Sequence, residues 1–114
     1  KHNNMSYLQI ELGGKLRGLK FNMVAIEEIA KQNTTGSNFG FIYSMIYGGM
    51  YGCSVVKKEE IDYTYEDVSE WVDAMENREE IVAKITATLT ETQNWKSIIN
   101  KEEAEVNEED KKKV

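Results

Sequence analysis

Cys53 is the one thiol of the chain and His2 its one imidazole. Together they would be the raw material of a Cys/His nucleophilic centre, in which a base or a nearby cation generates the thiolate. His2, however, precedes Met5, which reads as a native initiator, so residues 1–4 are set aside as a leader or remnant. Without His2 the chain lacks an imidazole for a general base or a metal ligand, and Ser/His/Asp and Cys/His arrangements fall away. Cys53 sits in the uncharged stretch from Asn38 to Cys53, which offers it no cationic neighbour, so it reads as a small core hydrophobe. The carboxylates come as doublets, Glu27-Glu28, Glu59-Glu60, Glu79-Glu80 and Glu102-Glu103, and each reads as solvated helix surface. Asp62 to Asp73 lacks the central Gly and much of the ligand spacing of a calcium loop. Gly13-Gly14 is followed by a strand and by no Gly-Lys-Ser/Thr, which excludes a phosphate cradle. No catalytic residue, cofactor or metal is expected.

The balance of the chain agrees with a non-enzymatic reading. Its 114 residues carry a net charge of -6 and a pI near 4.9, the wrong sign for a protein that must neutralise phosphates, so nucleic acid is not an expected partner. The length suffices for one domain with its own core. A lone apolar-flanked Cys fits a reducing compartment, and the polar opening residues do not read as a signal peptide, so a cytoplasmic location is expected. Proline is absent, which suits helices joined by Gly, Asn and Thr turns.

The element that must organise the rest is Asn38 to Cys53. Phe39, Ile42, Ile46 and Met50 lie on one side of a helix there, and Tyr43, Tyr47 and Tyr51 stack on the neighbouring side. At about 16 residues it falls short of the roughly 20 apolar positions of a bilayer span, so a membrane reading is rejected. Gly48, Gly49 and Gly52 each weaken a helix by about 1 kcal/mol relative to Ala, which makes sense where another backbone packs close. Around this helix the pattern predicts a hairpin from Ser6 to Phe21, turning at Gly13-Gly14, with Leu8, Ile10 and Leu12 opposite Tyr7 and Gln9 on its first strand, Leu16 and Phe21 as the apolar positions of its second and Gly18 as a bulge. Asn22 should cap a helix from Met23 to Gln32 whose inward face is Met23, Ile26, Ile29 and Ala30. Gly36 suits a left-handed stop and Ser37 the next cap. Ser54 to Asp62 reads as a polar connection that could pair briefly as a strand. Thr64 should cap Tyr65 to Glu76, with Asp67 at the third helical position, with Tyr65, Val68, Val72 and Met75 as the seam and with Trp71 broadening it. Asn77 with Glu80 should cap a last helix running to about Asn100 along Ile81, Ile85, Leu89, Trp95 and Ile99. Residues 101–114 are too polar to bury themselves and read as a solvated or disordered tail. The expected fold is therefore mainly α with a short N-terminal β-hairpin (α+β), a small bundle of about four helices in one domain over residues 5–100.

Two features have a functional reading beside a structural one. Tyr43, Tyr47 and Tyr51 either line the core with their hydroxyls at its edge or anchor a protein interface. Trp95, Ile98 and Ile99 either fold back over the core or present an apolar end to a partner.

The order of short motifs adds a resemblance. Phe21-Asn22-Met23 leading into Ile26-Glu27-Glu28-Ile29, then Met45-Ile46-Tyr47-Gly48-Gly49-Met50, then Thr64-Tyr65-Glu66-Asp67-Val68 ahead of Trp71-Val72, resembles the tail assembly chaperones of long-tailed phages, prophages and gene transfer agents. The likeness spans Tyr7 to Asp73. It implies a non-enzymatic chaperone that coats the tape-measure protein, keeps its helices soluble and recruits tail-tube subunits, made in the host cytoplasm and absent from the finished particle. It carries no catalytic residues over. It also implies a frameshifted longer product, for which an adenine run encoding Lys111-Lys112-Lys113 would be the slippage site. Self-association through the hairpin edge is a further expectation. The competing reading is a small protein-protein adaptor of a prophage or its host.

Overall fold

The computed structural model describes residues 7–34, 36–93 and 95–96. The expected leader, the expected tail, Ile98 and Ile99 lie outside them. Strands β1 (Tyr7–Leu12) and β2 (Lys15–Lys20) are followed by helices α1 (Met23–Gln32), α2 (Asn38–Lys57), α3 (Tyr65–Asp73) and α4 (Arg78–Thr90). The fold is mainly α with a short N-terminal β-hairpin, as the sequence predicts.

The hairpin closes between Leu12 and Lys15, with Gly13 and Gly14 both at positive φ, 63° and 84°, the backbone of a tight primed turn. Gly13 also has no room for a side chain, because the Trp71 ring lies 2.6 Å from where a Cβ would stand. The register runs unbroken through Gly18, which pairs with Gln9, so the expected bulge is absent. Gly18 is small because Cys53 Sγ and the Tyr7 hydroxyl approach to 2.9 and 3.0 Å of a Cβ there. Leu8, Ile10 and Leu12 point inward as expected. On β2 the inward position across from Leu8 is Leu19, whereas Leu16 is 63 % exposed. The pairing decides this: Leu16 faces Glu11, on the outer side, and Arg17 faces Ile10, on the inner.

α2 is the hub. It packs against α1, β2 and α3, and Gly48, Gly49 and Gly52 sit where other chain segments come close. A Cβ on Gly48 would meet the Ala25 carbonyl at 2.9 Å, one on Gly49 the Phe21 ring, and one on Gly52 the Lys20 carbonyl at 2.8 Å. Asn22 ties this joint together. Its Oδ1 accepts from Ala25 N at 2.9 Å, capping α1 as expected, and its Nδ2 donates to Gly52 O at 3.1 Å. Among the described residues α2 is the one helix long and apolar enough to cross a membrane, and here half of that window is buried within the protein. The inward face of α1 is Ala25, Ile26 and Ile29. Met23 and Ala30, expected there, are exposed, because the packing direction is set by the glycine notch.

Three boundaries differ from expectation. α2 continues past Cys53 to Lys57 and stops at Lys58, which adopts a left-handed φ of 58° while Glu59 N bonds Ser54 O at 2.9 Å. This is a Schellman-type stop without glycine. Ser54–Lys57 are therefore helix, and residues 59–64 form no strand. α3 is capped by the expected reciprocal Thr64–Asp67 pair but ends at Asp73, whose carboxylate is engaged by Tyr43 and Arg78. Met75, expected in its seam, lies beyond its end and is partly buried against the core. α4 begins without a side-chain cap from Asn77 and ends at Thr90. The long helix is interrupted because the Thr92 hydroxyl donates to Leu89 O at 2.8 Å and accepts from Trp95 N at 3.2 Å, ending one helix and capping the next turn.

The core holds Leu19, Phe21, Met45, Ile46, Val68, Val72, Ile85 and Leu89, all fully or almost fully buried. Two buried serines lie beside it with opposite consequences. Ser44 Oγ has no hydrogen-bond partner among the described residues, and an unmet buried hydroxyl is costly; Ser44→Ala should raise the urea midpoint, by the equivalent of about 1 kcal/mol. Ser54 Oγ bonds the buried Tyr63 hydroxyl at 2.8 Å; Ser54→Ala should lower stability by about 1–2 kcal/mol by stranding that hydroxyl.

Candidate functional site

The three tyrosines of α2 do not stand alone. Tyr47 stacks on Tyr51 at 6.1 Å between centroids and meets Tyr63 and Tyr65 edge-on at 5.8 Å each, and Tyr43 meets Tyr65 edge-on at 6.5 Å. Five rings thus converge in the edge-to-face and offset geometry that aromatic quadrupoles favour. The i, i+4 spacing places three of them along α2. The other two arrive because the Schellman stop turns the chain back so that Tyr63 and Tyr65 lie alongside. Tyr63 is buried, while Tyr43, Tyr47, Tyr51 and Tyr65 are half-buried.

The hydroxyls at this face differ in their commitments. Tyr43 donates to Asp73 Oδ1, and that bond, followed by desolvation and the Asp73 charge, raises its pKa. The Tyr47 phenol is raised by burial first and then by the nearby Glu28, Tyr51 and Glu66. Tyr47, Tyr51 and Tyr65 hydroxyls make no hydrogen bond to other described residues, which leaves them for solvent or a partner. Tyr63 is pushed up to about 12, by burial first and then by Tyr47, against lowering by Ser54 and Arg17. Its folded value lies above the ordinary phenol value of 10.0, so its contribution to stability is complete below pH 10.0 and is lost as pH rises towards about 12. Alkaline denaturation followed by tyrosinate absorbance should show one phenol that ionises only as the fold opens.

The second predicted group divides. Trp95 packs back over the core, 6.2 Å from the Phe41 ring. Ile98 and Ile99 lie outside the described residues. Phe39, expected under cover with Ile46 and Met50, is 65 % exposed, because the cover that α1 and β2 give α2 lies further along it. Cys53 is buried and its thiol is pushed up, chiefly by desolvation. The extension of α2 does bring a cation one turn on, Lys57, whose lowering effect on the thiol is the smaller; Lys57 Nζ donates to the Tyr7 hydroxyl at 3.3 Å. Among the described residues no three His, Cys, Asp or Glu side chains group as a metal site.

A feature the sequence did not announce is the setting of Arg17. Its guanidinium lies 4.5 Å from the Trp71 ring centre and 5.6 Å from that of Tyr63, its Nε donates to Leu12 O at 2.8 Å, and Nη1 reaches Asp62 at 3.3 Å. Lys15 Nζ binds the other oxygen of Asp62 at 3.0 Å. The two bonds and charges hold the Asp62 carboxyl below its usual range, the Lys15 bond contributing most. Lys15, Arg17, Asp62 and Tyr63 line an open cleft of about 420 Å³ between the hairpin and residues 57–63, to which Lys57, Glu59 and Glu60 also contribute. The available signal was the strand alternation, which puts Arg17 on the same face as Leu19.

In comparisons with known proteins, no family model, curated protein or solved structure matches this chain.

Proposed function

We propose that this protein is a non-enzymatic polypeptide-binding chaperone of the tail-assembly type. It holds the helices of a tape-measure protein in solution in the host cytoplasm and passes them to tail-tube subunits. The observation that carries the binding role is the tyrosine face: Tyr43, Tyr47 and Tyr51 on the most apolar helix of an acidic chain and Tyr65 on α3 beside them, all half-buried, with the Tyr47, Tyr51 and Tyr65 hydroxyls making no hydrogen bond to other described residues. Tyrosine presents a large rigid apolar area with a polar tip at small entropic cost, the property that makes it an interface anchor. An amphipathic client helix can lay its apolar side on such a face. The ordered motifs that resemble tail assembly chaperones supply the identity of the client, and the acidic surface keeps the loaded complex soluble.

Co-expression with a phage tape-measure protein tests the reading. The client should move from the insoluble to the soluble fraction and co-purify. A client that stays insoluble while the chain binds a host regulator would favour the adaptor reading instead.

A further inference from the structure

The cleft beside the hairpin contains a charged side chain held in place before any ligand arrives. Arg17 is 9 % exposed at its side chain, packed by Trp71 and Tyr63 and fixed by the Leu12 carbonyl. Its Nη2 makes no hydrogen bond to a described residue, and the residue lines the open cleft. A planar fork immobilised in this way matches a carboxylate. The chain supplies one itself: Asp62 bridges Arg17 and Lys15 from residues 59–62, which are exposed and outside any regular element.

We infer that Lys15 and Arg17 form a carboxylate-binding socket, and that Asp62 is its displaceable occupant in cis. The Asp62 carboxyl is 45 % exposed and Lys15 58 %, and ion pairs so open to water bind weakly. An external carboxylate can therefore take the place of Asp62, gaining the Nη2 donor that Asp62 does not use. Glu59 and Glu60 on the rim of the same cleft repel a polyanion, so nucleotides and polyphosphates are excluded. The ligand is a single carboxylate, carried by a peptide glutamate or by a free amino acid.

The test is an NMR titration of the full chain and of Asp62→Asn with three probes: a blocked peptide holding one Glu, the same peptide with Gln, and free glutamate. The readout is the Trp71 indole N–H, with the Trp95 indole as internal reference. In Asp62→Asn the Glu peptide or free glutamate should move the Trp71 signal, with a dissociation constant about fivefold below that of the unmodified chain, and the Gln peptide should not. Arg17→Lys keeps the charge without the fork and should weaken binding by about tenfold or more. Which of the two carboxylate probes binds identifies the source. A Trp71 signal unmoved by both in Asp62→Asn, or moved equally by the Gln peptide, would overturn the assignment.

Discussion

Replacing Gly52 with Ala should destabilise the protein by about 2–3 kcal/mol, although the change removes a glycine from a helix interior. Helix propensity alone favours Ala by about 1 kcal/mol. Against that, the new methyl would stand 2.6 Å from Asn22 Oδ1 and 2.8 Å from both Ala25 Cβ and the Lys20 carbonyl. Two of these are backbone or bound directly to it and cannot rotate away. Relief would have to come by moving the start of α1, and Asn22 is both the cap of that helix and the donor to Gly52 O. Loss of a cap costs about 1 kcal/mol by itself, so overpacking wins over propensity. A urea midpoint at or above that of the unsubstituted chain would show that α1 and α2 are less closely joined.

Arg17→Ala should cost about 2–3 kcal/mol, and Lys15→Ala no more than about 0.5 kcal/mol, although both residues bind the same carboxylate. Arg17 loses its packing between two aromatic rings and leaves the Leu12 carbonyl without its side-chain donor. Lys15 is largely in water and loses one screened ion pair. Equal and small effects in chemical denaturation would make Arg17 a surface residue in practice.

These two joints mark what was legible in the sequence. The glycines of α2 announced a close neighbour, since nothing else explains three of them in so apolar a helix, and the caps at Asn22, Ser37 and Thr64 follow from side chains whose oxygens reach their own backbone. The end of α2 was not legible. Val55-Val56 followed by charge reads as an extended connection, and the left-handed stop fell on Lys58, where glycine is the usual signal. The interruption after α4 was hidden similarly, because residues 89–95 hold no Gly or Pro to signal a stop and only the two bonds of the Thr92 hydroxyl break the helix there. For the candidate site, Tyr43, Tyr47 and Tyr51 could be placed on one stripe by period alone. That Tyr63 and Tyr65 complete it depends on how residues 58–64 turn back, which no local pattern states. Arg17 went unread because a charged residue in a strand looks solvent-facing until its aromatic cover is known.

Hydroxyl-radical footprinting of the chain, alone and co-purified with the tape-measure product, tests the binding claim most directly. The account predicts that Tyr47, Tyr51 and Tyr65 are labelled in the free protein and protected in the complex, while Leu16, on the outer side of the hairpin, stays equally reactive in both. Tyrosines labelled to the same extent in the complex as alone would contradict it.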